Sequence, residues 1–426
     1  MTAGTPAADA AAGSTAGSDA VHLNVDYLVG GFRISVGPES NTPGPRTHIV
    51  SFVEALRQNG HSVRLLLASG LPYMGRFARV RQSDYAAATP FKVRIADVVR
   101  MGAAVWTGAN VFWRLRKRPA PDLIYERVAV LQSLSSFHPA KRRAIRVVEA
   151  NGILSRETAH DRKVLRAEKL AAALERHVLR RADLVVAVSA GLRDELVRFA
   201  GLDAEAVLVV PNGVSSATAA RERVVRPDEV VIGFVGSIVK WQHLDSFLDT
   251  VADVLPGLDE AAGGKRVVVE IIGDGAEVRT LTDVVARRDL GDRVRLLGRL
   301  PHEDALRRMT EWNVGFAGHE KSSSDRMYHS PLKVYEYAAL GLAAVCTYSD
   351  DAAALQHSGL PAFFYSDQES LAFALEAAVL GESVVTPDVI AERRAAIARD
   401  HSWSERLERV LSAARIARGS RRSRGR

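Results

Sequence analysis

The chain has 426 residues, 47% of them hydrophobic and 25% charged, which is too long for one ordinary hydrophobic core and predicts two domains. Most of its net charge of +7 comes from six arginines between Arg415 and Arg426, and no nucleic-acid-binding motif or zinc-finger spacing occurs, so binding to nucleic acid is not expected. A single cysteine, Cys346, excludes an internal disulfide, and no apolar run is long enough to predict a spanning helix. We therefore expect a cytoplasmic protein with a disordered tail at 1–20, which lacks the features of a signal peptide.

The first half alternates between apolar runs typical of buried strands and segments with helical spacing. Helical spacing is clearest from Ile49 to Leu56, at 163–181 and at 190–200. Strands are expected at 21–28, 61–67, 123–126, 144–149, 184–188 and 206–210. Strands buried on both faces and joined by helices predict a parallel, doubly wound sheet over residues 21–210.

The same pattern begins again after a polar stretch at 211–229, which we interpret as a linker. In the second half, 230–400, strands are expected at VVIGFVG, at VVVEIIGDG, and at 294–298, 314–317, 343–347 and 362–365. The predicted fold class is therefore α/β, with two Rossmann-like domains that face each other across a cleft. An amphipathic helix at 401–417 lies outside the alternation, and a basic tail is expected at 418–426.

One short segment, His329–Gly341, carries the strongest indication of a ligand site. Ser330 is a suitable N-cap, Pro331 suits the first helical position, and Gly341 suits a left-handed C-cap. The free amides of Leu332 and Lys333 would then meet the positive end of the helix dipole, which favours an anion. Glu336 lies on the same face as Lys333 and could accept hydrogen bonds from two vicinal hydroxyls. Phosphate plus a diol describes a nucleotide-sugar diphosphate, although a surface ion pair between Lys333 and Glu336 is an equally simple interpretation.

Glycines follow several of the predicted strands, where ligands bind in parallel sheets. They are Gly236 with Ser237 and Lys240 close behind, Gly273 and Gly275, the LLGRLP segment at 296–301, and PNG at 211–213. Each of these alone is more typical of an ordinary turn. Their occurrence in order, most of them in the half that contains the Ser330–Glu336 segment, favours a shared site.

These segments resemble the family-4 retaining glycosyltransferases, which have the GT-B fold. The second half carries GFVGSIVKWQHLDSFLDTVADVL, VEIIGDG, DRVRLLGRLPHEDALRRM and SPLKVYEYAALGLAAVCT. The first half carries TPGPRTHIVSFVEALRQNGHSVRLLLA, PDLIYERVAV, RVVEANG, LERHVLRRADLVVAVSAGLRDELV and VLVVPNGV. The resemblance covers roughly 21–417 in the correct order. It implies that the C-terminal helix returns to the first domain.

The resemblance also implies a donor site between the halves. Glu336 would bind the ribose diol, Leu332 and Lys333 the diphosphate, and Arg299 and Leu300 would line the base pocket. Gly236, Ser237 and Lys240 would form the diphosphate loop. The turn of Pro43, Gly44, Pro45 and Arg46 would face the diphosphate from the first half, with Gly30 and Gly31 as a second candidate for that turn.

Three positions depart from the family pattern. Tyr328 stands where many members have the first of two glutamates, so that Asp325 or Glu320 would have to contact the transferred sugar. Trp241-Gln242-His243 replaces Trp-Lys-Gly, so that Lys240 would have to take over from the phosphate lysine. Asn151 stands in place of a histidine, as in a subgroup of the family with a Glu-x-Asn run.

The chemistry expected from these residues is metal-independent transfer of a sugar from a UDP- or GDP-sugar, with retention of configuration. No Asp-x-Asp pair occurs in the chain, so Lys333, Lys240 and the helix dipole would stabilise the leaving diphosphate. No cofactor beyond this co-substrate is expected, and the acceptor is left open among a glycan, a lipid carrier and a small metabolite. A non-catalytic sugar-nucleotide-binding scaffold and a GT-B epimerase remain as alternative functions.

The segment 98–118 could contact a membrane at its inner face or an acceptor. Val98, Met101, Val105, Phe112 and Trp113 share one helical side, followed by the basic run Arg114, Arg116, Lys117 and Arg118. We favour the simpler interpretation, in which this side covers the sheet and only the basic end is solvated.

Overall fold

The computed structural model describes residues 22–37, 40, 42–74, 90–161, 163–319 and 328–424. The expected disordered tail at 1–20 lies outside this part of the chain. The same is true of Glu320 and Asp325, the two carboxylates expected to replace the missing glutamate.

The first half forms a six-stranded parallel sheet, as predicted from the apolar runs. Its strands are β1 Asn24–Val29, β2 Ser62–Leu67, β3 Leu123–Arg127, β4 Ile145–Ala150, β5 Leu184–Ala187 and β6 Val207–Val209. The strand order is β2-β1-β3-β4-β5-β6. The chain places β2 on one side of β1 and β3 to β6 on the other, so the strand order switches sides between β1 and β3. A crevice for ligands is expected at the carboxyl ends of these two strands.

The second half forms another six-stranded parallel sheet. Its strands are β7 Glu229–Ser237, β8 Arg266–Asp274, β9 Val294–Gly298, β10 Val314–Ala317, β11 Ala343–Thr347 and β12 Ala362–Tyr365. The order β12-β11-β10-β7-β8-β9 reverses between β7 and β10. The predicted glycine turn after β7 therefore lies at the point where this fold offers a binding crevice.

Helices cover both sheets and join the halves. The longer ones are α1 Pro43–Gln58, α2 Pro90–Leu115, α3 Glu168–Arg180, α4 Ala190–Ala200, α5 Leu244–Ala261, α6 Val278–Arg287, α7 His302–Met309, α8 Leu332–Leu340, α9 Asp350–His357, α10 Gln368–Ser383, α11 Pro387–Asp400 and α12 Trp403–Arg424. Short turns occur at Ala68–Gly70, Ser135–Phe137, Leu154–Arg156, Glu157–Asp161, Ala204–Ala206, Ser216–Ala219 and Lys240–Gln242. The stretch interpreted as a polar, irregular linker thus contains a helical turn at Ser216–Ala219.

The C-terminal helix α12 returns to the first domain, as the resemblance implied. Its apolar side packs against the helix α1 and the strands β4 and β5. The buried members of this side are Trp403, Leu407, Val410, Leu411 and Ala414. The helix continues to Arg424, so most of the stretch expected to be a basic tail is helical; four of the seven residues from Arg418 to Arg424 are arginine, which is a good helix former.

Candidate functional site

The helix α8 lies where the sequence predicted a ligand-binding helix, but it begins one residue later than its N-cap signal suggested. Leu332 is the first helical residue and Pro331 occupies the N-cap position without a side-chain cap. The predictions of Ser330 as N-cap and Pro331 as first helical residue were therefore wrong. Gly341 adopts the predicted left-handed conformation with φ 72°, and the amide of Leu342 donates to the carbonyl of Tyr337 at 3.0 Å.

Ser330 is buried and bonds to other elements, which explains why it does not cap the helix. Its hydroxyl donates to the carboxylate of Asp351 in α9 and accepts from the backbone amide of Asn212 at 3.0 Å. The side-chain amide of Asn212 donates to the carbonyl of Ser330 at 2.6 Å. Ser330 therefore ties the entrance of α8 to the PNG turn that follows the first sheet.

Lys333 points from α8 toward the carboxyl end of β7. Its ammonium donates to the side-chain oxygen of Gln242 at 2.6 Å and lies 3.9 Å from the centre of the Phe234 ring. A side chain at Gly236 would put its Cβ 3.3 Å from this ammonium, so the glycine leaves room for the lysine. Lys333 is thus not one half of a surface ion pair, and Gln242 holds it at the loop after β7.

Burial moves the pKa values of Lys333 and Glu336 toward neutrality from opposite sides. Loss of solvation lowers the pKa of the Lys333 ammonium, while the nearby charge of Glu336 opposes this. Loss of solvation raises the pKa of the Glu336 carboxyl, while Lys333 opposes this. Groups poised in this way are typical of ligand-binding and catalytic sites.

Glu336 borders a pocket built from both halves of the chain. Leu332, Tyr335 and Ala339 of α8 line it as well. The other lining residues are Thr47, Gly213, Val214, Ser215, Thr218 and Trp403. The carboxylate of Glu336 is therefore available at the junction between the halves.

Gly236 lies near the end of β7, Gly273 lies near the end of β8, and Gly275 follows β8; the last two allow close packing of the backbone. A Cβ at Gly273 would lie 1.9 Å from the carbonyl oxygen of Gly236, and one at Gly275 would lie 2.0 Å from that of Ile238. Gly273 and Gly275 thus let the end of β8 pack directly on the loop after β7. They shape the site from beneath, while Ser237 and Lys240 are exposed at its rim.

The N-terminus of α1, in the first half of the chain, lies close to the N-terminus of α8. The segment Pro43–Arg46 forms the first turn of α1 and is not the loop turn expected from its glycine and prolines. Proline suits the first turn of a helix because its missing N–H would have no partner there. A Cβ on Gly44 would lie 3.9 Å from Leu332 Cδ1, so two helix N-termini meet across the cleft. The second candidates for this turn pack on their own domain: Gly30 against Ala129 and Gly31 against Ile34.

Arg299 also reaches across the cleft. Its guanidinium donates to the carbonyl of Ser40, which precedes α1. Leu300 is half-buried and packs on the core below α8. Arg299 thus contacts the first half of the chain, whereas Leu300 packs on the core of the second half.

Asn151 belongs to a buried polar cluster at the end of β4. Its amide donates to Glu149 at 2.6 Å, and Tyr125 and Arg127 donate to the same carboxylate at 2.7 and 2.8 Å. Burial alone would raise the pKa of Glu149, but the charge and hydrogen bond of His48, the charge of Arg127 and the hydrogen bond from Tyr125 hold it well below its usual range. Asn151 is therefore fixed in orientation by an ionised carboxylate.

His48 extends this cluster to the entrance of α8, a role that the sequence did not reveal. One ring nitrogen lies 2.9 Å from Glu149 Oε2 and the other 2.7 Å from Asn212 Oδ1. Because both partners accept, each ring nitrogen must carry a hydrogen. The path Glu149, His48, Asn212, Ser330 thus joins the two halves. Successive members of the path lie 101, 164 and 118 residues apart, and no spacing signal could have linked them.

Tyr328 supplies a second link between the halves. Its hydroxyl accepts from the backbone amide of Ile153, and its carbonyl accepts from the Ser189 hydroxyl at 2.9 Å. Its ring packs against the apolar cluster of the first domain. The residue that stands in place of the family glutamate is therefore turned onto the opposite domain.

Comparison with protein-family models gives two matches along the chain. Residues 44–217 match the model described as Glycosyltransferase Family 4, and residues 229–391 match Glycosyl transferases group 1. The two matches correspond to the two sheets.

Curated proteins and solved structures that resemble the chain are glycosyltransferases by name or share its fold. The chain is 31% identical over 155 residues to 2-deoxystreptamine N-acetyl-D-glucosaminyltransferase of Streptomyces fradiae, covering 34% of the chain and 36% of that protein. It is 25% identical over 323 residues to one subunit of human phosphatidylinositol N-acetylglucosaminyltransferase, covering 72% of the chain and 59% of that protein. The chain thus spans between about a third and three fifths of these relatives. The structure of Anabaena HepE with UDP and glucose superposes with a TM-score of 0.58 at 16% identity, covering 92% of this chain and 99% of that one.

Proposed function

The chain belongs to the family-4 glycosyltransferases and has their GT-B fold, and from that premise we propose that it moves a sugar from a nucleotide-diphosphate donor to an acceptor hydroxyl with retention of configuration. The observation that carries the proposal is that Gly44, in the first turn of α1, lies against Leu332 in the first turn of α8, next to Lys333, whose half-buried ammonium is held by Gln242. Two helix dipoles and one cation converge there, which suits a diphosphate.

The proposed donor lies along α8. Its diphosphate contacts the amides of Leu332 and Lys333 from one side and Gly44 from the other, with Gly236, Ser237 and Lys240 closing the loop after β7. Its ribose diol bonds to Glu336, and its base lies near Arg299 and Leu300. Gly273 and Gly275 support this loop, and Ser330 and Pro331 set the entrance of the helix.

In the proposed reaction, the bond from the sugar C1 to the donor diphosphate breaks as a bond forms from C1 to the acceptor oxygen on the same face. The acceptor proton passes to the departing diphosphate, whose charge is stabilised by Lys333, Lys240 and the helix N-termini without a metal ion. We assign Asn151, whose amide donates to Glu149, to the catalytic residues beside the reacting sugar. Preorganised donors in a partly buried cleft give this arrangement its electrostatic advantage.

The donor nucleotide is proposed to be UDP, with GDP as the second choice. The HepE structure contains UDP, and both curated relatives are N-acetylglucosaminyltransferases by name. UDP-N-acetylglucosamine is therefore the first donor to test. We place the enzyme in the cytoplasm, with a glycan, a lipid carrier or a small molecule as acceptor.

A thermal-shift panel of UDP, GDP, ADP and dTDP tests the donor site, with EDTA present throughout. A ligand that binds the folded chain raises its melting temperature by mass action. We expect UDP to stabilise the protein and Glu336→Ala to abolish the shift. Glu54→Ala, on the exposed side of α1, is the matched control and should keep it. Silence from all four nucleotides would contradict the donor-site proposal, whereas a thermal shift without any turnover would favour the non-catalytic scaffold.

Turnover of UDP-N-acetylglucosamine then separates the remaining candidates. Release of UDP only when an acceptor is added, with an α-linked product by NMR, is the result expected for retention. Conversion of the donor sugar without acceptor would instead identify an epimerase.

A further inference from the structure

The helix α2 has two apolar faces, and only one of them is used for folding. Its inner face buries Val93, Ala103, Val111 and Leu115 against the first domain. Thr107 accepts from Gln132 at 2.5 Å on the same face. These contacts fix the rotation of the helix, and therefore also fix which side chains face outward.

The outer face carries large apolar side chains in solvent. Phe91, Val98, Val105 and Trp113 are 71%, 65%, 62% and 60% exposed, and they recur at helical spacing. Ile95, Val99, Trp106 and Phe112 are also exposed. The interpretation in which this side covers the sheet was therefore wrong, because the sheet is covered by the opposite face.

A neighbouring loop extends the exposed face. Tyr73 is 76% exposed, and its ring centre lies 6.2 Å from that of Trp106. The indole N–H of Trp106 donates to the carbonyl of Pro72 at 3.3 Å. We call the outer residues of α2 together with Tyr73 the outer apolar face. An exposed apolar surface of this extent is unusual on a protein that has no partner for it.

The exposed charges on α2 and in the basic run that follows it are all positive. The basic run Arg114, Arg116, Lys117 and Arg118 follows its aromatic end, and the Arg116 guanidinium lies 4.1 Å from the centre of the Trp113 ring. Lys92 and Arg94 are exposed at its other end. Asp97, the one acidic residue between Pro90 and Arg118, is buried and bonded to the backbone amides of Arg166 and Ala167 at 2.7 and 2.9 Å.

We propose that the outer apolar face of α2 docks on an anionic phospholipid surface. Aromatic rings above a basic rim suit the boundary between acyl chains and negatively charged headgroups. A second copy of the chain is a poor occupant, because it would bring two sets of uncompensated cations together. In the described part of the chain, no helix combines the length and the hydrophobicity required to cross a bilayer. The helix therefore lies on the surface.

The position of α2 connects this surface to the first domain's side of the cleft. Arg100 donates to the carbonyl of Val164 at 2.6 Å, and Asp97 holds the amides of the two residues that follow Leu165. The residues from Val164 to Ala167 follow the helical turns Leu154–Arg156 and Glu157–Asp161, which in turn follow β4 and Asn151. If the proposed transferase function holds, docking would favour a lipid-carried acceptor; this last step rests on that function, whereas the docking itself does not.

Vesicle flotation with the full-length protein tests the proposal. The vesicles are phosphatidylcholine alone and phosphatidylcholine with phosphatidylglycerol. We expect binding to the anionic vesicles that weakens with salt. Each cation near such a surface strengthens binding severalfold, so Lys117→Glu with Arg118→Glu should reduce it by about tenfold or more. Trp113→Ser with Val105→Ser should reduce it comparably.

The matched control is Phe373→Ser, which removes an aromatic side chain that is 66% exposed on α10 of the other domain. It should bind vesicles like the original chain. Absence of binding to anionic vesicles, equal binding to neutral ones, or an equal loss in the control would overturn the proposal. A dimer that Trp113→Ser dissociates would also overturn it, since a second copy would then occupy the face.

Two further measurements distinguish a loss of vesicle binding from unfolding of the variant and from a change at the donor site. Circular dichroism melts verify that each variant folds, and the UDP thermal shift should be unchanged in the α2 variants. Loss of vesicle binding with an intact UDP shift supports the docking surface. Vesicle binding without a thermal shift from any of the four nucleotides would remove the transferase proposal and leave this one standing.

Discussion

The Lys333 ammonium and the Gln242 side-chain oxygen lie 2.6 Å apart, although they are separated by 91 residues in the chain. Gln242 stands where relatives were expected to have a phosphate-binding lysine. It is buried, and it also lies 3.2 Å from His319 Nε2. Gln242 therefore serves the proposed site indirectly, by holding the cation that α8 supplies.

The isosteric change Gln242→Glu should weaken donor binding and leave the fold intact. A carboxylate in this position would neutralise Lys333 and repel the donor diphosphate. We expect the Kd for UDP to rise by about tenfold or more, since hydrogen bonds and contacts to charged groups contribute ~1.5–3 kcal/mol. Isothermal titration measures the change, and Gln356→Glu on α9 is the control. An unchanged Kd would show that Lys333 does not bind the diphosphate.

Donor affinity should fall as pH rises above neutrality. Burial lowers the pKa of Lys333 to about 7, so the free protein loses this proton as pH rises from about 6 to about 8, whereas the protein with a bound diphosphate would retain it. Binding should therefore take up a proton over this range. Titrations in buffers of different ionisation enthalpy detect that uptake. Lys333→Arg, which stays charged, should bind with a flatter pH profile, and an identical profile in both proteins would refute the assignment.

The substitution Tyr328→Phe should destabilise the protein by ~1–3 kcal/mol. It removes the acceptor of the Ile153 backbone N–H at a half-buried junction, and an unpaired buried donor costs about this much. Urea denaturation measures the loss, and Tyr348→Phe, at an exposed tyrosine, should cost little. Equal stability of the two variants would mean that the Tyr328 link does not hold the halves together. A raised KM for the donor is expected as well, because the link positions the entrance to α8.

The substitution Glu270→Gln should destabilise the second domain by ~3–5 kcal/mol at neutral pH. It removes the buried negative charge that pairs with three half-buried arginines, Arg226, Arg295 and Arg308. Burial by itself would raise the pKa of Glu270, but hydrogen bonds from Arg308 and Trp312 and the charges of Arg308 and Arg226 lower it. A lowered pKa means that the stabilisation is present above the unfolded-state value and is lost as pH falls through the folded-state value.

The difference between the Glu270→Gln variant and the original chain should therefore shrink in acid. Denaturation midpoints over a pH series measure this difference. Glu303→Gln is the control, because its ion pair with Arg221 lies at an exposed carboxylate and should contribute little. A difference in denaturation midpoint between the two proteins that stays constant with pH would contradict the assigned ionisation of Glu270.

The sequence alone determined the fold class, because that information is local. Apolar runs buried on both faces recur with helices between them, and each of the twelve expected strands is found within a few residues of its predicted bounds. The glycine at 341 predicted the end of α8 for the same reason, since a left-handed residue is a property of one position. The start of α8 was predicted wrongly, because a distant partner, Asp351, competes for the Ser330 hydroxyl.

Only the tertiary structure decided which side chains meet across the cleft. The contacts of His48 with Asn212, of Tyr328 with Ile153 and of Lys333 with Gln242 join positions that no periodicity relates. For a related reason, the sequence did not determine which face of α2 points outward. Both of its sides are apolar, so the sequence could not tell which one the domain would bury, and packing against the first domain made that choice.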